Sequence, residues 1–213
     1  KTRLGLQVLV HTGITSARMA GDLATAGVDG ALIDLIGDDA TAREVYHLDG
    51  VVSDDYRRSL MNLCDAGVPT SPHVVMGLHY GRIRGEERAV EMAAEFPISS
   101  LVMVGLLPLG NTPMAEVTPP QPRQMADLIL YARERLPNTP LLLGCERPAG
   151  AHRLETDTLA LEAGVNGIAY PAEGVVTRAR EMGLDVHLSE SCCAVPVESS
   201  TPEFITTDED ETR

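Results

Sequence analysis

Apolar residues run without polar alternation at 6–10, 30–36, 73–78, 101–107, 141–143 and 167–169. Runs of this kind suit strands buried on both faces, as in a parallel sheet flanked by helices. Between them, apolar positions recur at helical spacing over 16–25, 41–47, 54–66, 86–96, 123–136, 154–163 and 172–182. Strand patterns that alternate with helix patterns predict a parallel α/β architecture.

One phrase recurs at the joints. It reads Ala26-Gly27-Val28-Asp29-Gly30, then Ala66-Gly67-Val68-Pro69, then Ala163-Gly164-Val165-Asn166-Gly167, with Met182-Gly183-Leu184-Asp185 as a looser copy. Each copy follows an amphipathic stretch and precedes a short apolar one. A helix that closes on a left-handed glycine and passes the chain to a buried strand has this form. Six strands fit the last six units of an eight-stranded β/α barrel, with two units expected upstream of Lys1. An open doubly wound sheet remains the alternative, since periodicity does not distinguish closed from open sheets.

Composition narrows the function classes. The chain has 213 residues, 44% of them hydrophobic, enough for a sizeable core. Residues 1–194 read as barrel and 195–213 as an acidic, disordered tail rich in Pro, Ser and Thr. Thirty-one acidic residues against 17 basic ones give a net charge of −14, which disfavours nucleic acid. Lys1 is the single lysine, so Schiff-base aldolase chemistry inside the barrel is excluded within these residues. The acidic excess with almost no lysine suggests a salt-adapted surface such as that of a halophilic archaeon; an arginine-favouring genome is the alternative. Neither a membrane span nor a secretory leader is evident, and the expected location is cytoplasmic.

In a parallel barrel, chemistry gathers where strands end. The apolar runs end in Val10-His11-Thr12-Gly13, in Asp34-Leu35-Ile36-Gly37-Asp38-Asp39, in Gly77-Leu78-His79-Tyr80-Gly81, in Gly110-Asn111-Thr112-Pro113 and in Gly144-Cys145-Glu146-Arg147-Pro148. Converging on one mouth, these would define a ligand pocket. Singly, His11 and the Asp38-Asp39 pair also read as helix caps, and Arg147 as a partner for a nearby carboxylate. His73 reads as a satisfied core histidine, and His47, His152 and His187 fit surface positions. No phosphate loop, nucleophile elbow, C-x-x-C or H-E-x-x-H occurs. The four cysteines, Cys64, Cys145, Cys192 and Cys193, read as reduced thiols or metal ligands.

These strand ends resemble, in order and in motif, the second half of the radical S-adenosylmethionine (SAM) sulfur-insertion enzymes typified by biotin synthase. The resemblance runs from Val8 to about Cys193. Gly77-Leu78-His79-Tyr80-Gly81 and the late Cys192-Cys193 pair look similar to archaeal biotin-synthase-like proteins, which include components of two-part lipoyl synthases.

The resemblance implies a [4Fe-4S] cluster bound to SAM, a 5′-deoxyadenosyl radical, C–H activation and sulfur insertion. It also implies an aliphatic substrate, free or carried on an acyl carrier, an electron donor such as ferredoxin, and a second radical SAM subunit. His11, Asp34, His79, Tyr80 and Arg147 become candidates for SAM or substrate. Cys145, Cys192 and Cys193 become candidates for an auxiliary iron–sulfur cluster. His79 and Tyr80 replace the usual Gly-Glu of their loop. The C-x-x-x-C-x-x-C triad that holds the SAM cluster is absent and is expected upstream, so the chain alone is expected to be inactive. A non-catalytic partner subunit and a barrel enzyme without a cluster are the alternatives.

Overall fold

The computed structural model describes residue 1 and residues 3–189; the expected tail and the Cys192-Cys193 pair lie outside the described residues. The order is β1 (Leu9–Thr12), α1 (Ala17–Ala26), β2 (Gly30–Asp34), α2 (Asp39–Glu44), α3 (Ser53–Asp65), β3 (Thr70–Met76) and α4 (Glu86–Ala94). It continues with β4 (Leu101–Gly105), α5 (Pro122–Arg135), β5 (Leu141–Leu143), α6 (Ala151–Glu162), β6 (Gly167–Ile168) and α7 (Val175–Glu181). The six strands form one parallel sheet in the order β1-β2-β3-β4-β5-β6, so each unit lies beside the next, as in a partial parallel β/α barrel.

The recurring glycines act as the pattern predicts. Gly27, Gly67, Gly164 and Gly183 have φ of 68°, 72°, 87° and 78°. After each, an amide reaches back across the closing turn: Val28 to Leu23, Val68 to Leu63, Val165 to Ala160 and Leu184 to Ala179. This satisfies carbonyls that the helix end leaves free. Two copies add a strand extension from the next polar residue. Asp29 accepts from the Val8 amide at 2.7 Å and Asn166 from the Leu141 amide at 2.9 Å. The fourth copy leads to no strand among the described residues.

Register assigns the two faces. Asp34 pairs with His73, His73 with Val102, Val102 with Leu142, and Leu142 with Gly167. Residues of the opposite parity, among them Ile33, Val74, Met103 and Leu141, belong to the main core, together with Leu60, Val90, Ile129 and Ala160 of the helices. The first set carries a separate small cluster of Leu32 and Val102 with Val104 and Leu142 against it. It forms the inner face, away from the helical layer. Three inner glycines admit neighbouring chains: a Cβ on Gly30 would meet Leu9, one on Gly144 would meet Val104, and one on Gly167 would meet Leu142.

Two strands start elsewhere than the pattern predicts. β1 begins at Leu9 rather than residue 6, because residues 3–5 form a turn and Lys1 is tied to Asp29. His11 consequently sits within the strand and not beyond it. β3 begins at Thr70 and passes through Pro72, which the apolar run excluded. Proline withholds one ladder donor, so Pro72 hides the strand start.

Candidate functional site

Inner-face parity brings together His11 and Asp34, near the carboxyl ends of β1 and β2, and His73, midway along β3. Asp34 is half-buried at the last position of β2. The Tyr46 hydroxyl, just beyond α2, donates to its Oδ2 at 2.8 Å. Burial, with the Asp34 charge adding to it, holds the Tyr46 hydroxyl above its ordinary range, so the tyrosine remains a donor. His73 is 8% exposed, and its ring lies 5.4 Å from that of the exposed His11, tilted by 52°. Its Nδ1 is 3.1 Å from the Ser71 carbonyl oxygen, which only accepts, so Nδ1 carries the proton. Burial lowers the His73 pKa, with His11 assisting and Asp34 and the Ser71 carbonyl opposing. The imidazole is therefore neutral near pH 7.

A second polar network clasps the loops after β2 and β3. Asp38 caps α2, accepting from the Thr41 amide and hydroxyl at 2.8 Å each. Since that hydroxyl donates to Asp38, His79 Nδ1, 3.2 Å away and 7% exposed, donates to Thr41. The His79 Nε2 receives Arg84 at 3.4 Å, and Arg84 also pairs with Asp38 at 3.1 Å. Burial opposes the Asp38 charge, but Thr41 and Arg84 outweigh it and lower the carboxyl's pKa. Tyr80, with φ of 51°, stands edge-on to His79 and donates to the Glu44 carbonyl at 3.2 Å. Behind them, buried Glu86 accepts from the amides of Gly77 and Arg84, while its burial pushes the carboxyl's pKa up.

The fit is close. A Cβ on Gly37 would stand 2.0 Å from the Gly85 carbonyl oxygen, and one on Gly81 2.0 Å from that of Thr118. Only glycine is accommodated at these crossings.

Arg147 lies apart from the inner face. It is 0% exposed and sits on the helix side, where a Cβ on Gly105 would meet its own Cβ at 3.0 Å. Its Nε and Nη2 bind Asp157 of α6 at 2.6 and 2.9 Å, and further donors reach the carbonyls of Gly144, Ala169 and Tyr170. The carboxylate partner was one of its two sequence readings. Cys145 is half-buried beyond β5; Cys64 is half-buried on α3, where burial raises its thiol pKa. No group of three His, Cys, Asp or Glu side chains able to hold a metal ion occurs among the described residues. Sequence reading set His73 aside; its place opposite Asp34 emerges only with the register.

No family model matches the chain. It is 25% identical over 172 residues to a biotin synthase of Neorickettsia sennetsu, covering 79% of this chain and 51% of that protein. It is 27% identical over 192 residues to the biotin synthase of Zymomonas mobilis subsp. mobilis, covering 88% and 55%. The chain is biotin-synthase-like. It spans about half the length of these curated relatives.

Solved structures agree on the fold. The FeFe-hydrogenase maturase HydG from Carboxydothermus hydrogenoformans superposes with a TM-score of 0.64 at 16% identity, over 84% of this chain and 47% of that one. Methylornithine synthase gives 0.57 at 14%, over 86% and 60%. Hydroxymethylglutaryl-CoA lyase from Pseudomonas aeruginosa also gives 0.57, at 10%, over 85% and 65%.

Proposed function

We propose that this biotin-synthase-like chain supplies the substrate-facing wall of a radical SAM barrel. The enzyme would activate a C–H bond of an aliphatic substrate, free or carried on an acyl carrier, with a ferredoxin-type electron donor. Sulfur insertion of the biotin or lipoyl synthase kind is the finer form of the reading, and a second radical SAM subunit fits the lipoyl form. The observation that carries it is the polar set His11, Asp34 and His73 beside the apolar patch of Leu32, Val102, Val104 and Leu142. Similarity to biotin synthases over most of the chain supports it.

Radical generation would belong to a [4Fe-4S] cluster and SAM. The described residues do not fit the cluster: Cys64 lies on α3, Cys145 stands alone beyond β5, and no ligand group converges. Cys192 and Cys193, proposed for an auxiliary cluster, lie outside the described residues. The chain's own residues would bind and orient. Tyr46 fixes one oxygen of Asp34, His11 stands at the rim, and the apolar patch excludes water from the reacting carbon. His79, Tyr80 and Arg147 would act at a distance, by holding the loops and strand ends in place.

The test is anaerobic expression of the complete coding sequence that contains this chain, followed by measurement of iron, sulfide and 5′-deoxyadenosine formed from SAM under reduction. Bound iron and reductant-dependent 5′-deoxyadenosine are expected. A product that binds no iron and forms no 5′-deoxyadenosine overturns the reading and leaves a barrel protein without a cluster.

A further inference from the structure

The inner face has an unassigned polar atom. His73 is more than nine-tenths buried, its Nδ1–H is engaged by the Ser71 carbonyl, and its Nε2 has no hydrogen-bond partner among the described residues. Nor is Nε2 sealed away: the fully buried, unpartnered side-chain polar atoms among those residues are Tyr56 Oη and Arg153 Nε alone. The neutral ring therefore presents a bare acceptor to the inner space. Its register neighbour Asp34 does the same, because Tyr46 occupies Oδ2 and leaves Oδ1 without a partner among the described residues.

Two acceptors side by side, one of them anionic, select against a carboxylate or phosphate and for a group rich in N–H donors. Beyond them the same face turns apolar, through Leu32, Val102, Val104 and Leu142.

We propose that His73 is a specificity-determining residue, which with Asp34 takes a protonated amine of an aliphatic substrate whose carbon chain lies along the half-buried Val104 and Leu142. The inference rests on the inner face being the substrate wall, and it names the end group that the wall reads. An amine places N–H donors on both Nε2 and Oδ1, and its charge meets Asp34. Loss of one such charge-assisted bond weakens binding by about tenfold or more.

The experiment is a titration of the full chain with n-hexylamine hydrochloride and, separately, with sodium hexanoate at about pH 7.5, where the ordinary histidine pKa leaves imidazole neutral. Binding is followed through the ¹⁵N imidazole resonances. Hexylammonium is expected to shift the His73 Nε2 resonance saturably while hexanoate does not. Asp34→Asn and His73→Phe are each expected to weaken hexylammonium binding by about tenfold. The proposal fails if hexanoate binds as tightly, if the His73 resonance stays unmoved at saturating hexylammonium, or if folded His73→Phe binds hexylammonium like the wild type. Should His73→Phe not fold, the wild-type resonance decides. Amine selectivity in a complete product that forms no 5′-deoxyadenosine would sink the radical reading and still support this one.

Discussion

Single residues on this scaffold divide by the face they serve. Arg147 and Asp157 are both fully buried and bind each other through two hydrogen bonds, so each is costly alone. Asp157 also accepts from the Ala172 amide at 2.8 Å. Asp157→Ala is expected to destabilise the fold by about 3–5 kcal/mol, the usual consequence of leaving a buried charge unpaired. Urea denaturation measures it, and a loss under about 1 kcal/mol would contradict the account. His73 adds a pH dependence. Its folded pKa lies below the ordinary 6.5, so the unfolded chain takes up the proton first as pH falls. Its contribution is fully present above the ordinary value and is lost on acidification through that value toward the folded one. His73→Asn should flatten the acid-side slope of stability below about pH 6.5. An unchanged slope would mean that burial does not hold the ring neutral.

At the scale of elements, the glycine joints were legible in the sequence because one residue type satisfies one backbone requirement. Gly27, Gly67 and Gly164 needed no tertiary information: a positive φ after an amphipathic run ends a helix, and the apolar run that follows makes a strand. β3 shows why other features were hidden. Pro72 argued against strand at the positions that set the parity of Ser71, His73 and Val75, and with parity lost His73 looked like a core residue. The loop clasp was half-legible. The Asp38-Asp39 pair read as a helix cap from residue type alone, whereas the reach of His79 and Arg84 back to Asp38 depends on two loops crossing at Gly37 and Gly85. Gly37→Ala tests the crossing, since its Cβ would sit 2.0 Å from a carbonyl oxygen. It is expected to lower stability by about 1–3 kcal/mol, as overpacking does, and to expose His79. A variant with unchanged stability and an unchanged His79 resonance would show that the loops do not pack this way.

For the whole molecule, six parallel strands place their carboxyl ends and following loops on one side, where barrels of this kind carry their chemistry. The helical layer shields one face of the sheet and leaves the inner face with a polar end and an apolar middle. Similarity to biotin synthases extends over 79% and 88% of the chain. A net charge of −14 is a statement about solubility and salt response. The most direct test compares wild type with Asp34→Asn in the complete coding product, reconstituted anaerobically and assayed for reductant-dependent 5′-deoxyadenosine. The account predicts equal iron and sulfide in both, because Asp34 belongs to no metal-binding group among the described residues, and a rate lowered by about tenfold or more in the variant. Equal rates would contradict it, and would remove the inner face from the reaction.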